Sequence, residues 1–157
     1  MQSITLYPIG YIHSPYTSTD EVPIQARLVE DVEAHVEVLD RYQDGLKDLD
    51  GFSHAIILFY FHQSTHEDII SSPFLESTKH GIFAIRSPDR PNHIGLSVVQ
   101  IKEIRANNLV FTRVDMLDET PVLDIKPYIP FADSREHCSI GWLEKHMIDG
   151  TMRSPQD

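Results

Sequence analysis

A single cysteine, Cys138, stands in the 157 residues, so no internal disulfide can form. A lone thiol suits a reducing compartment, and the sequence leads us to expect a cytoplasmic protein. His137 is adjacent to it, but neighbours in sequence rarely face each other, and we read the thiol as inert. Long apolar runs are also missing. The longest, residues 55–61, is far short of the ~18 that a membrane helix needs, so no membrane association is expected. The first five residues, Met-Gln-Ser-Ile-Thr, carry no basic run leading into an apolar one, and no signal peptide is expected. The 7 glycines never stand as a Gly-x-Gly pair, which removes the usual dinucleotide fingerprint. There is no glycine-rich lysine loop and no His-Glu-x-x-His. His62 and His66 are four apart, but one closes an apolar run and the other lies in a polar loop, so no metal site is expected.

Positive charge is scarce: 13 lysines and arginines face 24 acids, a net charge of −11. That opposes binding nucleic acid by bulk electrostatics. The distribution is uneven, however. Residues 77–113 hold 6 bases (Lys79, Arg86, Arg90, Lys102, Arg105, Arg113) against 2 acids (Asp89, Glu103), which leaves a stretch where a polyanion can dock.

What is present reads as many short strands. Val32, Ala34, Val36 and Val38 alternate with polar residues, the period of a half-buried strand. Residues 55–61 read as a strand buried on both faces. Residues 81–85 read as another strand. Residues 96–104 and 109–114 read as a hairpin turning at Asn107-Asn108, since asparagine tolerates positive φ. Residues 122–125 read as a last strand before Pro127 and Pro130 break regular structure. Leu46 and Leu49 pin a short helical turn to the core, and residues 138–147 carry a helical stripe of Ile140, Leu143 and Met147. With no strand–helix alternation, the fold class is all-β: an antiparallel barrel or sandwich of about six or seven strands with one or two short helices. Residues 1–137 form the expected domain, and 138–157 an extension packed on it.

Two segments carry unusual chemistry. Arg86-Ser87-Pro88-Asp89-Arg90-Pro91-Asn92-His93-Ile94-Gly95 sets two arginine forks in a proline-stiffened loop, suited to gripping a carboxylate at low entropic cost. An ordinary turn with surface ion pairs explains the same composition equally well. In the second, acids recur at Asp115, Asp118, Glu119 and Asp124. Asp124 lies between Leu123 and Ile125, two residues from Lys126. It is either a structural ion pair or an acid held at a substrate.

Taken in order, these segments resemble the TrmO-type (TsaA-like) family of S-adenosylmethionine-dependent tRNA adenine-N6 methyltransferases. The match starts at Gly10-Tyr11-Ile12-His13-Ser14-Pro15-Tyr16. It passes through Pro23-Ile24-Gln25, Tyr42-Gln43-Asp44-Gly45-Leu46 and Leu49-Asp50-Gly51-Phe52-Ser53-His54, and it is strongest at residues 86–95 and 115–130. The resemblance implies a β-barrel, a homodimer that completes the cofactor site, S-adenosyl-L-methionine as cofactor, and threonylcarbamoyladenosine beside the anticodon of tRNA as acceptor. It implies cofactor contacts at Pro23, Ile24, Gln25, His62, Gln63, Arg86, Leu96, Asp118, Glu119, Thr120 and Pro121. Two positions depart from the family's pattern: Glu119 replaces the usual glycine, and His93 stands where proline is common.

Methyl transfer is a direct displacement, so alignment dominates. Arg86 suits the methionine carboxylate, while Gln63, His62 or Asp118 offer oxygens or dipoles. A base for the amine proton is to be sought among Asp124, Tyr128 and His62, between which the sequence does not choose. The alternatives are a methyltransferase with another acceptor and a non-catalytic S-adenosylmethionine-binding module.

Overall fold

The structure, a computed structural model, describes residues 2–22, 32–148 and 151–152. Its strands are β1 (Gly10–His13), β2 (Glu33–Val38), β3 (His54–Tyr60), β4 (Ile70–Ser71), β5 (His80–Gly81), β6 (Ile94–Arg105), β7 (Asn108–Thr112), β8 (Pro121–Pro127), β9 (Met147–Ile148) and β10 (Thr151–Met152), with one short helix, α1 (Pro130–Asp133). Six strands close an antiparallel barrel in the order β1-β2-β7-β6-β3-β8. The all-β barrel expected from the sequence is present. Closure removes the unpaired edges an open sheet would leave.

Alternation fills the barrel. Ala34, Val36 and Val38 of β2 point inward while Glu33 and Glu37 face out. Ile12, Ala55, Ile57, Phe59, Val99, Leu109, Phe111, Val114, Met116 and Val122 join them in the core. Gly10 has a steric reason: a Cβ there would lie 2.5 Å from the carbonyl oxygen of Glu37, so any side chain would push β1 off β2. The turn carrying Leu46 and Leu49 is two 3-10 segments, Asp40–Leu46 and Leu49–Gly51, with both leucines buried.

Four local expectations change. β3 is not buried on both faces: Ala55, Ile57 and Phe59 enter the core, and the residues between them face outward, because a barrel has one interior. Residues 81–85 are mostly not a strand. A 3-10 turn, Ile82–Ala84, follows β5 and buries both Ile82 and Ile85, which its three-residue repeat brings onto one side. The β6–β7 hairpin turns on Ala106, which takes φ 52°. Asn107 instead spends its side-chain amide on the carbonyl of Val38, at 3.0 Å. The C-terminal stripe forms a 3-10 segment, Gly141–His146, and leaves Ile140 exposed.

That segment docks through polar and aromatic contacts. The Trp142 indole stacks on His80 at 4.7 Å and donates its N–H to the carbonyl of Ala84 at 2.9 Å. His146 Nε2 lies 2.7 Å from a Glu76 carboxylate oxygen, and His80 Nε2 lies 2.6 Å from the other. Lys145 pairs with the same carboxylate. Hydrogen bonds from Lys145, then from His80 and His146, hold Glu76 down to about 2.

Candidate active site

Strand direction gathers the candidate residues. β3 runs antiparallel to both β6 and β8, and β8 antiparallel to β1. The exits of β1 and β3 and the entries of β6 and β8 therefore share one mouth of the barrel. His62 and Gln63 follow β3, Arg86 lies in the loop before β6, Leu96 lies near its start, and Asp118, Glu119, Thr120 and Pro121 lead into β8.

The β1 exit acts as a template for that last stretch. Ile12 N–H donates to the carbonyl of Thr120 at 2.9 Å and Ile12 C=O accepts from Glu119 N–H at 2.8 Å. Asp118 N–H donates to the Tyr16 carbonyl at 2.7 Å. The Asp118 carboxylate accepts the Ser14 N–H at 3.1 Å, with His13 Nδ1 at 3.6 Å from the same oxygen. Buried Thr120 sets its hydroxyl 3.3 Å from His62 Nδ1, linking the β3 exit to the β8 entry. Glu119 is exposed and takes φ 59°, the left-handed region that favours glycine. This is the position where the family's pattern has glycine.

The loop before β6 is tightly shaped. Arg90 donates to the carbonyl of Ile85 at 3.1 Å, and Phe61 N–H donates to the carbonyl of His93 at 2.8 Å. Asn92 and His93 take φ 64° and 49°. Proline, locked near −65°, does not fit the second value, which histidine takes here. Gly95 passes under aromatic rings: a Cβ would meet Phe59 at 2.4 Å. Arg90 thus shapes the loop, whereas Arg86 is exposed.

Sequence reasoning missed two groups here. Asp115 accepts the hydroxyl of buried Ser97 at 2.6 Å. Burial raises its carboxyl above the ordinary value, partly offset by Ser97 and by the positive charge of Arg86. Its only sequence signal was its place at the head of the acidic segment. His13 bridges acids, with Nε2 at 3.1 Å from Glu37, and lies against the His35 ring at 4.9 Å. Burial, then the charge of His13, lowers His35.

Other candidates lie apart. Tyr128 donates its N–H to His54 C=O at 3.0 Å and packs edge-on against that ring, at the far end of β3 from His62. Eight residues separate it from Thr120, roughly 25 Å of strand. A bulge in β8 sets Leu58 opposite Asp124 but Phe59 opposite Val122. It flips the alternation, so Asp124 faces outward and pairs with Lys126 at 2.6 Å. Leu96 also faces outward, 48% exposed. Pro23, Ile24 and Gln25 lie outside the described residues. The basic stretch is no single patch either: Arg86 lies in the loop before β6, Arg105 at the far end of that strand, and Arg105 pairs with Glu103.

A sequence profile described as "tRNA-methyltransferase O N-terminal domain" matches residues 11–134, most of the chain. The chain belongs to this family. Among TrmO-family relatives, a "Probable S-adenosyl-L-methionine-binding protein" of Pyrococcus abyssi is 49% identical over 140 residues, covering 89% of this chain and 76% of the relative. A "tRNA (adenine(37)-N6)-methyltransferase" of Escherichia coli is 37% identical over 154 residues, covering 92% and 66%. The crystal structure of TrmO from Pseudomonas aeruginosa superposes with a TM-score of 0.77 at 35% identity, covering 89% of this chain and 62% of that one. The chain thus spans about two thirds of the length of these two bacterial TrmO-family proteins.

Proposed function

We propose that this chain is an S-adenosylmethionine-dependent methyltransferase that acts on N6 of an adenosine beside the anticodon of tRNA, threonylcarbamoyladenosine being the acceptor its family implies. The observation that carries the reading is the convergence of Arg86, His62, Gln63 and residues 118–121 on one barrel mouth. The donor set suits the cofactor. An exposed guanidinium fits its methionine carboxylate and Asp118 fits its cationic side, while Leu96 stands on the adjoining outer wall. When bound, the cofactor supplies an electrophilic methyl group whose sulfur departs as a neutral thioether. The chain's part is then to align N6 with that methyl and to accept a proton. Of the three candidate bases, His62 alone lies at this mouth. Its Nδ1 faces Thr120, which orients the ring.

The reading extends to a cytoplasmic homodimer, with residues 1–137 as the barrel domain and 138–157 as an extension packed on it. A second copy is favoured by the outer wall. Ile56, Leu58 and Tyr60 of β3 stand opposite Val98, Leu96 and Ile94 of β6, an apolar face where a lone barrel would be polar. Isothermal titration calorimetry is expected to show S-adenosylmethionine binding that Arg86→Ala weakens at least about thirtyfold, as for a lost charge-assisted pair of about 2 kcal/mol or more. Incubation with tRNA is expected to add one methyl to a modified adenosine, read by nucleoside mass spectrometry. Absence of cofactor binding overturns the reading. Binding without transfer to tRNA supports a cofactor-binding module, the reading that the Pyrococcus relative's name favours.

A further inference from the structure

We propose that His66, Asp68 and Asp89 form a binding site for a divalent transition-metal ion, zinc or a close neighbour of it. The three come from two loops, residues 61–68 after β3 and 86–93 before β6. One ligand atom from each lies within 4.8 Å of the other two. The one close spacing among them fits coordination as well as an ion pair. His66 Nε2 stands 3.4 Å from Asp89 Oδ2. A charge-assisted hydrogen bond would close to about 2.7–2.9 Å. Two ligands on a tetrahedral ion with bonds of about 2.0–2.1 Å lie roughly 3.3–3.4 Å apart.

The carboxylate is already held for the role. Asp89 Oδ1 accepts the Ser64 hydroxyl at 2.6 Å, the outer-shell hydrogen bond that orients a metal ligand, and this leaves Oδ2 for the ion. Asp68 N–H donates to the Asp89 carbonyl at 3.0 Å, so the two acids are fixed side by side. Two close carboxylates in a chain of net charge −11 repel, and a bound dication removes that repulsion. The nearby acid Glu67 is directed at His93 instead, at 3.9 Å. One imidazole with two carboxylates suits zinc, manganese or iron(II), while calcium prefers an all-oxygen cage. His66 is 62% exposed on its side chain, which leaves room for water as a fourth ligand. The ion would tie the loop that carries His62 and Gln63 to the loop that carries Arg86. Spacing along the chain pairs His66 with His62, but His62 belongs to Thr120, and the partners of His66 come from the other loop and from Asp68.

The test uses the full chain, untagged and stripped with a chelator. Titration calorimetry with zinc is expected to give one saturable equivalent, and cobalt to give the intense visible absorption of a four-coordinate site. His66→Ala and Asp89→Asn, both near the surface, are each expected to weaken zinc at least about tenfold and to abolish the cobalt band, with unchanged circular dichroism. Failure of zinc to saturate, or affinity retained in both variants, overturns the proposal.

Discussion

Glu119 illustrates how much a single backbone angle decides. A side chain at φ 59° lies in a region that costs a non-glycine residue roughly 1–2 kcal/mol. Glycine would relieve that cost but adds unfolded-chain entropy of about 0.4–1 kcal/mol. Glu119→Gly is therefore expected to stabilise the protein by about 0.5–1 kcal/mol in denaturant unfolding, and a loss of stability would show that the Glu119 side chain makes compensating contacts. Asp115 gives a pH dependence. Its folded carboxyl lies above the ordinary 3.8 because burial disfavours the charge. The folded state therefore holds this proton more tightly than the unfolded chain does. The stabilisation is complete below 3.8 and is lost as pH rises through the raised value. An asparagine in its place would keep an acceptor for Ser97 without the charge. Asp115→Asn is thus expected to flatten the loss of stability above about pH 4, and unfolding curves parallel to the parent's across that range would sink the assignment.

At the scale of elements, the sequence disclosed what periodicity encodes. The alternation of β2, the all-β class and the pinned turn at Leu46 and Leu49 follow directly from residue spacing, whereas the choice of a barrel over a sandwich rests on the family resemblance. Three features were not legible, each for a reason. The β8 bulge inserts one residue without a compositional mark, so Asp124, apparently enclosed by Leu123 and Ile125, faces out beside Lys126. The hairpin turn uses Ala106, a residue with no preference for positive φ, because Asn107 is committed to the Val38 carbonyl. The run 55–61 is apolar throughout, yet only alternate residues enter the core. Composition cannot separate a strand buried between two layers from a barrel strand whose outer face is apolar for another reason. Of the candidate site, Arg86, His62 and the 118–121 stretch could be brought together only by topology, since pairing of β3 with β6 and β8 spans dozens of residues.

For the whole molecule, that apolar outer face is the decisive unexplained surface. β2 shows the ordinary solution for a wall facing water, with Glu33 and Glu37 outward. The paired walls of β3 and β6 instead expose Tyr60 at 37%, Ile94 at 39%, Leu96 at 48% and Val98 at 40%. The patch is bordered by the Asp124–Lys126 pair, an apolar centre with a polar rim. A two-fold axis through such a patch buries it against its own copy, and the two copies of each residue then lie near one another. Leu96, implied as a cofactor contact, sits on this wall and not inside the mouth, as it would if the second copy completed the site. Sedimentation equilibrium is therefore expected to give a dimer. Val98→Glu, placing a carboxylate in the centre of the patch, is expected to cost about 2–4 kcal/mol of association, a weakening of roughly thirtyfold or more. The same variant should keep the barrel intact by circular dichroism, because Val98 points away from the core, while cofactor affinity falls with the loss of the dimer. A parent protein that sediments as a monomer, or a Val98→Glu variant that dimerises as tightly as the parent, would remove this face from the interface.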